Sequence, residues 1–220
     1  MGTQIELTAA DGTRLAAYRA DPQGKPRGGV VIVQEIFGLN SHIRSVADRY
    51  AKEGYLAVAP AMFDRVQPGV ELGYNPDDVA RGREIMQKID FDSALKDVAA
   101  AVAVAAEGGK VAVIGYCWGG TVAWIAASQL DGIAAAVPYY GGGIAARADA
   151  KLKVPVQGHF GEQDKSIPMA DVEKIRAAHP ESEIYVYDAG HGFNCDQRAA
   201  FDPAASSVAT QRTLEFLAKM

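Results

Sequence analysis

Short apolar segments alternate with amphipathic segments along most of this 220-residue chain. The apolar segments are rich in β-branched residues and continuous, which is typical of strands that are buried on both faces of a sheet. Strands that alternate with helices form a mostly parallel sheet with helices on both faces. No linker, repeat or low-complexity tract interrupts the pattern, so we predict a single α/β domain over residues 1–220.

The boundaries of the elements follow from the same pattern. Predicted strands cover 28–34, 55–60, 110–116, 133–141, 154–161 and 183–188, and predicted helices cover 41–54, 77–89, 93–108, 118–130, 169–179 and 203–219. Residues 5–9 and 14–20 flank an Asp-Gly-Thr turn, which predicts an N-terminal antiparallel hairpin at one end of the sheet. The segment 61–76 has no clear period, and we predict an excursion over the surface that can cover a site.

The charge and hydropathy patterns exclude several classes of function. The formal net charge is −5 and there is no basic block, which argues against a nucleic-acid partner. No apolar stretch approaches the roughly 20 residues of a membrane helix, and no leader peptide is evident at the N-terminus. Two cysteines do not make a disulfide framework, so we expect free thiols and a cytoplasmic location. We also expect a monomer.

The sequence GYCWGG at 115–120 follows a predicted strand and opens a predicted helix. It has the form Gly-x-nucleophile-x-Gly, in which a sharp strand-to-helix turn lifts one side chain above the carboxyl edge of the sheet. A cysteine at a helix N-terminus favours the thiolate and has N–H groups beside it that can bind an oxyanion. We therefore interpret Cys117 as a nucleophile rather than a packing residue. The P-loop lysine and hydroxyl residue are absent, which excludes a nucleotide site here.

The partners of such a nucleophile are an acid and then a histidine, each after a later strand. Asp164 follows the strand 154–161, and His191 follows the strand 183–188 in a turn between two glycines. The order Cys117, Asp164, His191 fits the α/β-hydrolase fold. Glu162 is an alternative acid. Asp188 is a second, weaker alternative acid. We assign the other three histidines to packing or surface roles; they are His42, His159 and His179.

Six segments, taken together and in order, resemble the dienelactone hydrolase family. They are QEIFGLN (34–40), GYCWGG (115–120), YYGGG (139–143), GEQD (161–164), AGHGFN (189–194) and RTLEFL (212–217). The resemblance implies a cofactor-independent hydrolase of small enol lactones such as carboxymethylenebutenolide. It implies Cys117 as nucleophile, His191 as base and Asp164 as the acid that orients it. It also implies that Glu35 takes the proton of a resting thiol when an anionic substrate enters.

Further site residues follow from the chemistry of the reaction. The backbone N–H groups of Ile36 and Trp118 are the expected oxyanion donors, by the rule of residue-after-nucleophile plus an earlier loop. A substrate carboxylate calls for an arginine, and the candidates are Arg81, its neighbour Arg83 and Arg198. Some family members carry an arginine four residues after the histidine, where this chain has a cysteine. Tyr140 and Phe37 are expected to contact the substrate.

Two other functions remain open at this stage. The same triad can serve a thioesterase or small-ester hydrolase, because a fold does not fix the substrate. A non-catalytic ligand-binding or thiol-redox protein would use Cys117 as a sensor, although the intact set of triad residues argues against it. We expect no metal site, because the spacing of Cys117, His191 and Cys195 matches no zinc pattern and a fourth ligand is missing.

Overall fold

The computed structural model describes residues 2–220, whose eight strands form one sheet. The strands are β1 (Thr3–Thr8), β2 (Arg14–Ala20), β3 (Gly28–Val33), β4 (Tyr55–Pro60), β5 (Val111–Tyr116), β6 (Ala135–Tyr139), β7 (Gln157–Gly161) and β8 (Glu183–Tyr187). Their spatial order is β1-β2-β4-β3-β5-β6-β7-β8. All pairs from β4 to β8 are parallel, whereas β1 and β2 pair in antiparallel fashion and β2 runs antiparallel to β4. The predicted parallel sheet and its antiparallel hairpin are confirmed.

Six α-helices connect the strands. They are α1 (Ser41–Lys52), α2 (Pro76–Met86), α3 (Phe91–Ala105), α4 (Trp118–Gln129), α5 (Met169–Ala178) and α6 (Pro203–Leu217). Four of them begin at an Asn or Asp whose side chain accepts a hydrogen bond from a backbone N–H of the first turn. None of the helices within residues 2–220 combines the length and apolar character needed to cross a membrane.

The core lies on both faces of the sheet, as continuous apolar strands require. Along β3, Val30 and Ile32 belong to one apolar cluster and Val31 and Val33 to the other, and all four are fully buried. This alternation follows from the two-residue period of a strand. Within the described chain, Val208 is the only large apolar side chain that is exposed, so little apolar surface remains uncovered.

The segment 61–76 runs over the surface only in part, because four of its residues are buried. Residues 62–65 form a short 3-10 turn in which Met62 and Phe63 are buried. Farther on, the Leu72 N–H donates to the carbonyl of Phe37 at 2.8 Å, and Glu71 forms a β-bridge with Gly38. The segment therefore packs against the loop that follows β3, because its apolar side chains have the core beneath them.

Candidate active site

Cys117 lies in a strained turn between β5 and α4. Its backbone has φ 55° and ψ −116°, a conformation that an L-residue adopts at a cost of about 1–3 kcal/mol. A Cβ at Gly115 would lie 1.8 Å from the carbonyl oxygen of Gly119, and one at Gly119 would lie 2.4 Å from that of Val33. Both glycines are therefore required by close backbone contacts, which is the physical basis of the spacing seen in the sequence.

Three side chains form a connected hydrogen-bonded chain at this edge of the sheet. His191 Nε2 lies 3.1 Å from Cys117 Sγ, and His191 Nδ1 lies 2.6 Å from Asp164 Oδ2. The other carboxylate oxygen of Asp164 accepts the Ser166 N–H at 2.8 Å. Asp164 is buried, whereas the alternative acids Glu162 and Asp188 are exposed. The structure thus brings the three predicted triad residues together and selects Asp164 as the acid.

The electrostatics of His191 follow from these two contacts. Burial lowers the pKa of His191, but hydrogen bonds to Asp164 and Cys117 outweigh it and raise the pKa to about 10. The 3.1 Å contact allows His191 and Cys117 to share one proton. A cysteine paired with an imidazolium has the thiolate character that a nucleophile needs.

Two backbone N–H groups lie beside the nucleophile. Ile36 and Trp118 line the same cavity as Cys117, and no group within residues 2–220 accepts a hydrogen bond from either backbone N–H. Trp118 is the first residue of α4, so its N–H is one of the donors that a helix N-terminus leaves free. These two N–H groups are therefore the candidate donors for an oxyanion hole.

Glu35 is buried behind the cavity and forms an ion pair with Arg198. Arg198 Nη1 donates to Glu35 Oε1 at 2.9 Å, while Glu35 is only 1 % exposed. The Arg198 guanidinium also lies 5.5 Å from the ring centroid of Phe37 and 5.9 Å from that of Tyr74. Within residues 2–220 no hydrogen bond joins Glu35 to Cys117, because the thiol contacts His191 instead.

The cavity at the nucleophile has a volume of about 440 Å³. Its lining includes Ile36, Phe37, Val79, Arg83, Met86, Phe91, Cys117, Trp118, Ser166, His191 and Arg198. Arg83 and Arg198 bring positive charge to a largely apolar wall. Arg81, which the sequence analysis offered as an anchor, does not line this cavity. Its side chain is 40 % exposed and bonds to Glu84 and Gln67 on the solvent side of α2.

Tyr140 packs against the imidazole of His191 and does not line the cavity. Its ring is fully buried with a centroid 5.1 Å from that of His191, and it is not among the lining residues. Its φ of 37° is unusual for a tyrosine, and its hydroxyl has no partner within residues 2–220. The expectation of direct substrate contact is therefore replaced by packing against His191, whereas Phe37 lies in the cavity wall as expected.

A buried group that the sequence analysis did not assign to the site lies next to Glu35. A carboxylate oxygen of Glu35, a ring nitrogen of His42 and the Cys195 Sγ lie within 4.8 Å of one another, close enough to hold a metal ion. The guanidinium of Arg198 already pairs with this carboxylate, so a cation has no unpaired charge to neutralise. We assign no metal there. The only signal in the sequence was that His42 lies in the first turn of the helix directly after the QEIFGLN segment.

Comparisons with known proteins find similar sequences and a similar structure. A model of the Dienelactone hydrolase family matches residues 15–220. The carboxymethylenebutenolidase of Pseudomonas putida is 32% identical over 230 residues, which cover 98% of this chain and 96% of that protein. A Synechocystis sp. protein with the same name, given provisionally, is 40% identical and the match covers 90% of this chain and 89% of that protein. A crystal structure from Klebsiella pneumoniae, provisionally named a dienelactone hydrolase, matches with a TM-score of 0.86, 32% identity and full coverage of both chains.

Proposed function

Because the chain belongs to the dienelactone hydrolase family, we propose that it hydrolyses small enol lactones such as dienelactone, with Cys117 as nucleophile. The family assignment and the α/β-hydrolase fold make the protein a hydrolase of carboxylic esters or lactones. The observation that carries the proposal is the chain Cys117–His191–Asp164, with contacts of 3.1 and 2.6 Å, at a cavity that two arginines line.

Acylation begins with attack of the Cys117 sulfur on the lactone carbonyl carbon. The carbonyl oxygen becomes an oxyanion, which the backbone N–H groups of Ile36 and Trp118 stabilise. The intermediate collapses when the ring C–O bond breaks, which leaves a thioester on Cys117 and an enolate on the opened chain. An enolate is a good leaving group, so this step needs no strong general acid.

Activation by Glu35 follows from its pairing with Arg198. While Arg198 donates to Glu35 at 2.9 Å, its positive charge compensates the negative charge of the carboxylate. A substrate carboxylate that draws Arg198 toward the cavity removes this counter-ion, and the buried Glu35 then binds a proton readily. We propose that the proton shared by Cys117 and His191 passes to Glu35 at this point. His191 is then neutral and free to act as a base.

Deacylation uses the neutral His191. The imidazole takes a proton from water, the oxygen attacks the thioester carbon, and the C–S bond breaks to return the thiolate. The proton on His191 then goes to the enolate, and the new carboxylic acid releases its own proton to solvent. When the product leaves, Arg198 returns to Glu35 and the thiolate regains its proton.

Hydrolysis of cis- and trans-dienelactone, followed by ultraviolet absorbance, tests this proposal. Wild type should turn over and Cys117→Ala should not. A wild type that alkylates rapidly with iodoacetamide at Cys117 but turns over neither isomer would refute the substrate. A faster reaction with the neutral ester p-nitrophenyl acetate would favour a general esterase. The apolar residues Val79, Met86 and Phe91 in the cavity wall can contact an uncharged ester as well. Reversible oxidation of Cys117 without any turnover would favour a redox protein.

The substrate carboxylate is tested by a pair of substitutions on one helix. Arg83 lines the cavity and Arg81 points to solvent, although both lie on α2. Loss of one charged hydrogen bond costs about 1.5–3 kcal/mol, so Arg83→Gln should lower kcat/KM for dienelactone by roughly 10- to 150-fold. Arg81→Gln should leave it near the wild-type value. Equal effects of the two substitutions would show that long-range charge, and not a contact, governs binding.

A further inference from the structure

A second histidine–aspartate pair lies behind the proposed catalytic one. His42, in the first turn of α1, is fully buried, and its Nδ1 lies 3.0 Å from Asp196 Oδ1. A carboxylate at this distance fixes the proton of a neutral imidazole on Nδ1, which leaves a lone pair on Nε2. His42 Nε2 is buried and has no partner within residues 2–220. Such orphaned buried atoms are rare and call for an explanation.

The orphaned histidine faces the buried carboxylate of Glu35. The three atoms that approach within 4.8 Å belong to Glu35, His42 and Cys195, and no direct hydrogen bond joins Glu35 to His42 in the described chain. The Cys195 thiol is engaged, since it donates to the Tyr74 hydroxyl at 3.3 Å. Glu35 and His42 are thus two neighbouring acceptors without a proton between them. This arrangement is stable only while Arg198 supplies the positive charge.

Arg198 is also the group that leaves when substrate binds, and on this point the inference rests on the proposed function. Its guanidinium lines the cavity and its side chain is 20 % exposed, so it can reach a carboxylate there. Glu35 is then a carboxylate at 2 % side-chain exposure with no counter-ion. A buried unpaired charge is costly enough that such groups neutralise by binding a proton.

We infer that Glu35 and His42 hold this proton together, and that His42 is the positioning residue that stores it. Protonated Glu35 donates its O–H to His42 Nε2, directly after a side-chain rotation or through one water. Transfer of the proton restores the Glu35 carboxylate and forms an imidazolium whose Nδ1–H still donates to Asp196. On product release the proton returns through Glu35 to the thiolate of Cys117, and Arg198 pairs with Glu35 again.

The electrostatic surroundings of His42 support this role. Burial is the largest influence and lowers the pKa of His42, while the charges of Glu35 and Asp196 raise it. The resting imidazole is therefore neutral and is poised to gain a proton when Glu35 loses its counter-ion. The titratable or charged groups around His42 are Glu35, Arg49, Tyr116, Cys195 and Asp196. Behind them, Tyr74 bonds to Cys195 and Arg198 pairs with Glu35.

Nitrogen NMR of histidine-labelled protein tests the inference without substrate, because removing Arg198 mimics its capture. In wild type near neutral pH, His42 should show the ring frequencies of a neutral imidazole, and in Arg198→Gln those of an imidazolium. The double variant Arg198→Gln, Glu35→Gln should return His42 to the neutral form. His159 is an internal control, because Gln157, Thr213 and Tyr187 already bond its ring nitrogens. A neutral His42 in Arg198→Gln, or a charged one without Glu35, would overturn the inference.

Calorimetry provides a second measurement that separates this inference from the proposed function. Dienelactone binding to Cys117→Ala, repeated in buffers of different ionisation enthalpy, should show uptake of nearly one proton. When His42→Gln is added, this uptake should be lost at a lower pH, because Glu35 then holds the proton without the imidazole, and an unchanged pH dependence would count against storage at His42. Binding without uptake would refute the storage role. An absence of binding would count against the proposed substrate, and the NMR result on His42 would stand by itself. Arg198→Met replaces Arg198→Gln in the NMR series if the latter does not fold.

Discussion

Gly82→Ala is expected to damage catalysis far more than stability. Gly82 is buried in α2, where a Cβ would lie 1.9 Å from the carbonyl oxygen of Ile36 and 3.1 Å from its carbonyl carbon. No side chain can rotate away to relieve this contact, because both partners are backbone. Either α2 moves outward or the peptide of Ile36 moves, and Ile36 carries one of the two proposed oxyanion donors.

The size of each effect can be worked out separately. Overpacking costs about 1–3 kcal/mol, while replacing a helical glycine with alanine returns roughly 1 kcal/mol through helix propensity. The free energy of unfolding should therefore fall by only about 0–2 kcal/mol. Displacing an oxyanion donor by about 1 Å removes most of its contribution to the transition state, and loss of one such donor lowers kcat by roughly 10²- to 10³-fold.

Steady-state kinetics on dienelactone and thermal unfolding measure the two effects in parallel. The rate of iodoacetamide alkylation of Cys117 should stay near wild type, because the thiol and His191 are not touched. Arg81→Ala, at the neighbouring exposed position, is the matched control and should leave kcat unchanged. A wild-type kcat for Gly82→Ala, together with a shifted backbone amide resonance of Ile36, would refute the assignment of Ile36 as a donor. A parallel fall in alkylation rate would place the damage at the thiol instead.

Three other outcomes follow from the geometry of the site. Asp164→Asn should lower kcat by about 10²- to 10⁴-fold in steady-state kinetics, because the amide no longer orients His191 as a base. The protein should stay folded, and a loss in kcat below tenfold would contradict this role. The pKa of His191 lies above its usual value, at about 10, so its stabilising contribution is complete below about pH 6.5 and is lost as the pH rises through about 10. Denaturant titrations should accordingly show the stability difference between wild type and His191→Gln shrinking over that range, and a difference that grows would reverse the assignment. Tyr140→Phe should leave the free energy of unfolding unchanged or raise it by about 1–3 kcal/mol, because it removes a buried hydroxyl without a partner. A clear fall in the thermal unfolding temperature would show that this hydroxyl has a stabilising partner.

The nucleophile turn was the part of the site that the sequence predicted best, because its constraint is local. Gly115 and Gly119 are fixed by backbone atoms that approach any Cβ within 2.4 Å, so the spacing alone carries the geometry. Asp164 and His191 were also predictable, since a parallel sheet collects the carboxyl ends of its strands at one edge. Their mutual distances were not predictable, because these depend on how the loops after β7 and β8 pack.

The sequence left open which arginine of α2 lines the cavity, although it contained a signal for it. Val79, Arg83 and Met86 are spaced by four and three residues, which places them on one face of α2, and all three line the cavity. Arg81 instead shares the opposite face with Glu84, its ion-pair partner. The helical phase of the apolar neighbours would have favoured Arg83.

Arg198 lies later in the sequence than the arginine of some family members, and the fold brings its guanidinium back to Glu35. The resemblance puts an arginine four residues after the histidine, where this chain has Cys195, and Arg198 comes three residues later. Successive turns close this gap: the Cys195 N–H donates to the Gly192 carbonyl, and the Arg198 N–H donates to the Cys195 carbonyl. A Cβ at Gly192 would lie within 2.4 Å of Arg198 Nη1, so the glycine beside His191 is what lets the guanidinium cross the backbone to reach Glu35. Gly192 therefore serves the ion pair as well as the turn, for which its φ of 81° already favours glycine.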